Sequence, residues 1–189
     1  MYQKGTTDNA FQRQNQLEDA LLMLMQTHPY EKITIQDICG QLGVSRKSFY
    51  HYFESKDDAL FALIDKTIMS CEVDSALYAT SNSSVCIYEQ FVQYWKEQKP
   101  FLDALEKNDL EDKLLLRALK HAKEEDDQFR YWLHVNDSQC GDEILQFATG
   151  GLFSMILGWH QSGYQKSITQ MAQAMNRLLE EPLVYPPAD

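Results

Sequence analysis

The sequence predicts an all-α protein: an N-terminal three-helix head, a long connecting helix and a C-terminal helical bundle, about nine helices in all. Three observations carry this. Only five prolines and eight glycines interrupt the 189 residues. Between them, apolar residues recur at i, i+3 and i+4, and no run alternates as a strand would. Helix-start signals, a Ser or Thr followed three residues later by Asp or Gln, recur at Thr34, Ser55 and Ser167.

The first helix is expected from about Asn9 to Thr27, with Leu17, Ala20, Leu21, Leu24 and Met25 on one face, and His28-Pro29-Tyr30 ends it. Thr34-Ile35-Gln36-Asp37 reads as a capping box opening a short second helix that closes at Gly43. Ser45 is a good N-cap for a third helix through about Tyr52. Ser55-Lys56-Asp57-Asp58 opens a long fourth helix, kept apolar on one face by Leu60, Leu63, Ile64, Thr67, Ile68 and Cys71.

The polar run Thr80 to Ser84 predicts a loop, followed by an aromatic-rich helix through Trp95 and a break at Pro100. A further helix runs from about Leu110 into the acidic run Glu124 to Asp127, where it either continues or breaks. The last two helices are expected at about Asp142 to Ser162 and, after the capping box Ser167-Ile168-Thr169-Gln170, at about Ile168 to Glu180. The tail from Pro182 to Asp189 is expected to be disordered.

The net charge of −11 is unusual for a chain that would meet phosphates, but it is unevenly placed. Residues 1–66 carry 7 Lys/Arg against 9 Asp/Glu, whereas residues 67–189 carry 10 against 19. An acidic body beside a nearly neutral head would repel a polyanion from every surface but the intended one. Cys39, Cys71, Cys86 and Cys140 form no close pair, so they match neither a zinc-ligand spacing nor a disulfide framework and read as reduced thiols. No signal peptide and no stretch of about 18 apolar residues is present, which predicts a cytoplasmic protein that does not enter membranes.

The informative stretch is Ile33 to Leu63, two short capped helices joined through Gly43-Val44-Ser45 and a third start signal after Phe53. A helix-turn-helix needs a small residue where its helices cross, a glycine in the turn and apolar anchors on both helices. Cys39, Gly43 and the set Ile35, Ile38, Leu42, Val44, Phe49 and Phe53 meet those needs. Arg46, Lys47 and Ser48 occupy the first turn of the third helix, where side chains reach base edges and Arg or Lys pairs with guanine.

The ordered combination of Gly43-Val44-Ser45, Phe49-Tyr50-His51-Tyr52-Phe53 and Lys56-Asp57-Asp58-Ala59-Leu60 resembles the head of the TetR/AcrR family of transcriptional regulators. The resemblance covers about a quarter to a third of the chain, and it departs from the family pattern at Cys39, where alanine is usual, and at Lys47, where a small residue is common. It implies a helix from Ser45 to Tyr52 in the major groove, with Thr34 and Lys56 gripping phosphates. Tyr50 and Tyr52 match backbone-contacting positions, with His51 between them on a groove-edge face; Tyr52 packed into the head's core is the alternative. The expected domains are residues 1–55 for DNA binding and 56–181 for ligand binding and dimerisation, with 182–189 as the tail.

A single helix-turn-helix reads few base pairs, so the geometry calls for a homodimer on a palindromic double-stranded operator, with half-sites about 34–36 Å apart or a multiple of that. Gly150, Gly151, Ser154 and Gly158 form a small-residue stripe, and Met171, Met175 and Leu178 lie on the following helix. Together they suggest a four-helix dimer interface, although the stripe also suits packing inside one subunit. Phe91, Trp95, Trp132, Phe153 and Trp159 are read as ordinary core or as the lining of a pocket for an apolar or aromatic effector. By the resemblance, an effector in the body tilts the fourth helix and changes the separation of the two heads.

No catalytic residue, cofactor or metal site is expected. His121, His134 and His160 lack metal-ligand spacing. A glycine-rich phosphate loop, a Gly-x-Ser-x-Gly elbow and His-Glu-x-x-His are all missing from the sequence. The reading is therefore a ligand-responsive repressor. Its alternative is a TetR-like co-regulator that acts through a protein partner rather than by its own operator binding.

Overall fold

The structure is a computed structural model that describes residues 8–74, 85–124 and 141–180. These residues form nine α-helices, one 3-10 turn and no strand. The expected loop at Thr80 to Ser84, the end of the acidic run from Glu125, and Trp132, His134, Cys140 and the tail from Pro182 lie outside the described residues. No described helix is long and apolar enough to cross a membrane.

The helices are α1 (Asp8–Thr27), α2 (Ile35–Leu42), α3 (Arg46–Tyr50), α4 (Lys56–Met69), α5 (Val85–Glu97), α6 (Lys99–Glu106), α7 (Glu111–Glu124), α8 (Gly141–Gln161) and α9 (Ile168–Glu180), with the 3-10 turn at Tyr30–Lys32. The expected starts and stops are met locally. Thr34, Ser55 and Ser167 accept hydrogen bonds from the backbone N–H three residues on. Gly43 closes α2 at φ 63°, in the left-handed region that favours glycine. Pro100 sits in the first turn of α6, where its missing N–H removes no intrahelical bond. The helix α7 continues into the acidic run as far as Glu124.

The chain divides into two compact units, one of Met1–Ser70 with Pro100–Arg117, the other of Cys71–Lys99 with Ala118–Asp189. In the first unit α1 packs on α2 and α4, and α2 on α3. Leu17, Leu21, Met25, Ile38, Phe49, Phe53, Leu60 and Ile64 are all fully buried there. The turn after α6 clasps the end of α1: Asn108 Nδ2 donates to the carbonyls of Ala104 and Met25, and its Oδ1 accepts the Tyr30 N–H at 2.6 Å.

Two adjacent residues of α4, buried Asp65 and half-buried Lys66, form ion pairs. Lys66 pairs with Glu18 at 2.9 Å and Asp19 at 3.0 Å on α1, while Asp65 takes a two-point ion pair from Arg117 on α7. Burial pushes the Glu18 carboxyl above its ordinary range, outweighing the Lys66 ammonium beside it.

In the second unit α9 packs along α5, and α8 touches both. Thr169 Oγ1 donates to Glu89 at 2.7 Å, tying α9 to α5. On α8, Leu145, Ala148, Thr149, Leu152, Phe153, Ile156 and Trp159 are buried.

Candidate nucleic-acid interface

The site is built on α3, a five-residue helix whose pose depends on what lies beneath it. Phe49 is fully buried and meets Phe53 at 5.3 Å between ring centroids. Cys39, also fully buried, fills the crossing with α2 and aims its sulfur at the Ser45 carbonyl, 3.7 Å away. Burial raises the Cys39 thiol above its ordinary range, so it acts here as a small apolar spacer.

Ser45 caps α3 by accepting the Ser48 N–H at 3.3 Å. With that polarity fixed, Ser45, Arg46, Lys47, Tyr50 and His51 are exposed, while Ser48 and Tyr52 are half-buried. The backbone coils past Tyr50, because His51 donates to Lys47 and both Tyr52 and Phe53 donate to the Phe49 carbonyl. Arg46 donates to the Tyr50 hydroxyl at 3.2 Å and lies 5.8 Å from its ring centroid, which splays the guanidinium along the helix surface. The His51 and Tyr52 rings meet edge to face at 4.9 Å.

The two expected phosphate grips are engaged inside the head. Thr34 forms a full capping box with Asp37, and its hydroxyl also donates to the Asp37 carboxylate at 2.7 Å. Those bonds from the Thr34 side chain and backbone hold the exposed Asp37 carboxyl below its usual range, so a carboxylate occupies the N-terminal pole of α2. Lys56 Nζ donates to the carbonyls of Tyr30 at 2.5 Å and Ile33 at 2.9 Å, with the ammonium 4.1 Å from the centre of the Tyr30 ring. Partial burial lowers its pKa despite the neighbouring carboxylates of Asp57 and Glu31. Beyond Tyr52 lies an open groove of about 500 Å³ lined by Asn9, Ala10, Gln12, Arg13, Gln16 and Tyr52. Its signal in the sequence is the polar run Gln12 to Gln16.

Residues 17–63, which hold the two short helices, their caps and Lys56 but not the groove residues Asn9 to Gln16, match the model of "Bacterial regulatory proteins, tetR family". The match is confined to this head, about a quarter of the chain. Among curated proteins the chain is 40% identical over 45 residues to the HTH-type transcriptional regulator EthR of Mycolicibacterium smegmatis. That match spans 24% of this chain and 21% of the relative's length. Three solved structures share the fold. The dihydroxyacetone kinase operon activator DhaS has a TM-score of 0.58 at 17% identity, covering 88% of this chain and 93% of that one. A tetR-family transcriptional regulator from Streptomyces coelicolor has a TM-score of 0.54 at 17% identity, over 88% and 80%. The fatty acid degradation regulator FadR from Bacillus halodurans has a TM-score of 0.53 at 16% identity, over 97% and 100%.

In the second unit, the described residues of the expected pocket set are buried. Phe91, Trp95 and Phe153 are buried, and Phe153 lies 5.9 Å from Phe91 and 5.2 Å from Trp95 between centroids. Trp159 instead locks the turn after α8, donating from Nε1 to the Lys166 carbonyl at 2.9 Å. Two polar atoms in this core, Trp95 Nε1 and Thr149 Oγ1, are buried without a hydrogen-bond partner among the described residues. His121 and His160 are buried polar residues.

The small-residue stripe divides. Gly150 faces inward, where a Cβ would meet Leu119 at 3.6 Å, whereas Gly151, Ser154 and Gly158 are exposed. Phe147 and Ile144, 62% and 47% exposed, extend the open line one and two turns towards the start of α8. Across from it, Leu178 is 44% exposed while Met171 and Met175 are buried under α9. An apolar groove of about 170 Å³ runs between Phe147, Gly151, Met155, Met175, Leu178 and Leu179.

Proposed function

We propose that the protein is a ligand-responsive, DNA-binding transcriptional regulator, a repressor that binds a palindromic operator as a homodimer in the cytoplasm and is released by a small molecule. The observation that carries this reading is the first turn of α3: Arg46 and Lys47 are exposed on a helix anchored by fully buried Phe49, inside the stretch that matches the family. Such a turn suits base readout in the major groove. Residues 1–55 supply DNA binding, and 56–181 supply ligand binding and dimerisation.

Arg46, Lys47 and Ser48 read bases; Ser45, Tyr50, His51 and Tyr52 contact the backbone. Thr34 and Lys56 act at the same face, Lys56 with the ammonium hydrogen left after its two carbonyl bonds. The open line of Gly151, Ser154 and Gly158 with Leu178 forms the dimer face, and the apolar groove beside it supports this. Gly150, Met171 and Met175 back that face from within.

The effector is an apolar or aromatic compound received among Phe91, Trp95, Phe153 and Trp159, with Trp132 as a further lining residue. The unpartnered Trp95 N–H and Thr149 hydroxyl favour one that carries a hydrogen-bond acceptor. Its binding changes the separation of the two heads, so that both no longer fit their half-sites.

A gel shift against the DNA flanking the protein's own gene tests the reading. Specific retardation, lost in Arg46→Ala and Lys47→Ala, is expected. Retardation unchanged by both substitutions defeats these contacts, and no retardation at low salt favours a co-regulator that works through a protein partner.

A further inference from the structure

The head holds seven Lys and Arg between residues 1 and 66, and few of them face outward as unengaged charge. Lys4 lies outside the described residues. Lys66 is paired with Glu18 and Asp19, and Lys56 is bonded to two carbonyls. That leaves Arg13, Lys32, Arg46 and Lys47, of which two belong to α3. A surface with so little charge gains much from each cation placed against a phosphate.

Arg13 is so placed. It lines the groove that opens beside Tyr52, two residues beyond the end of α3, together with Asn9, Gln12 and Gln16. Among the described residues, no carboxylate lines this groove. Its polar groups are three side-chain amides, one phenol and one guanidinium, all able to donate to a phosphate oxygen. Arg13 is exposed and donates to Gln16 Oε1, another lining residue, at 3.0 Å. The groove shares Tyr52 with the segment that follows α3.

We propose that the groove of Asn9, Gln12, Arg13, Gln16 and Tyr52 is a second phosphate-binding site, occupied by the DNA backbone flanking the half-site, and that Arg13 is its charged anchor. This rests on the DNA-binding reading above. Arg13 positions the head on the duplex and carries no sequence preference.

The test is a salt series of dissociation constants for the full-length protein on two duplexes, its own upstream region and a scrambled one, comparing wild type, Arg13→Ala, Arg13→Lys and Arg46→Ala. Arg13→Ala is expected to weaken both duplexes by the same factor, about 3- to 10-fold, and to reduce the slope of log K against log salt by about 1. Arg13→Lys restores the slope, and Arg46→Ala narrows the gap between the duplexes. A thermal melt confirms that the substitution at this exposed position leaves the fold intact. An Arg13→Ala protein with unchanged affinity and slope overturns the second site while leaving the DNA-binding reading standing. Wild type that binds neither duplex overturns both.

Discussion

Lys56 and Tyr30 are joined twice: the ammonium donates to the Tyr30 carbonyl and sits 4.1 Å above the centre of its ring. The next residue, Asp57, accepts the Tyr30 hydroxyl at 2.5 Å. The start of α4 therefore holds the turn that leads into α2. Lys56→Met is expected to destabilise the protein by about 1.5–3 kcal/mol, the range for hydrogen bonds to a charged group. Urea unfolding checks it; an unchanged midpoint would mean that Lys56 serves phosphate contact alone.

The Asp65–Arg117 pair places a carboxylate only 2% exposed against a guanidinium. Removing one partner of a buried pair leaves the other uncompensated, at a cost of about 3–5 kcal/mol. Arg117→Met should fall in that range, and Asp65→Asn with Arg117→Met should recover much of the loss. Additive losses in this double-mutant cycle would contradict a specific pairing.

How legible these features were depends on how far they reach along the chain. The Thr34 and Ser167 capping boxes, the left-handed Gly43 and the Phe49 anchor are written within three or four residues, and each appears where expected. The engagement of Lys56 depends on carbonyls more than twenty residues earlier, and the clasp of Asn108 on α1 on a residue 83 positions away. No local pattern encodes either. At the candidate site, the exposed face of α3 followed from spacing, whereas the groove at Arg13 needed α1 to be set beside Tyr52. In the second unit, the aromatics show their mass but not their direction: Phe153 turns inward and Phe147, six residues earlier on the same helix, turns outward.

The open line on α8 gives a prediction about assembly. Phe147 is 62% exposed, and in a lone protomer nothing penalises a charge there. Phe147→Lys is expected to leave the thermal melt of an isolated protomer within about 0.5 kcal/mol, yet to shift sedimentation from dimer to monomer. A dimer that tolerates the substitution would place the interface elsewhere.

Thiol reactivity follows burial. Cys39 and Cys71 are fully or almost fully buried, and burial pushes the Cys71 thiol up to about 12. Both should stay protonated and unmodified by iodoacetamide at pH 8 until the chain unfolds, whereas half-exposed Cys86 should react in the native protein. A raised thiol pKa favours the folded state below the unfolded value of 9 and withdraws that contribution as pH climbs towards 12. Alkylation of Cys71 in native protein, read by peptide mass spectrometry, would contradict the packing described.

The central claim is that two copies of α3 read one duplex. Sedimentation velocity of the protein titrated with a duplex carrying the inverted repeat upstream of its gene measures this directly. The account predicts two protomers per duplex, half-sites about one helical turn apart or a multiple of that, and loss of the complex on scrambling the repeat or in Arg46→Ala. Equal binding of the scrambled duplex, or one protomer per duplex at saturation, would contradict it.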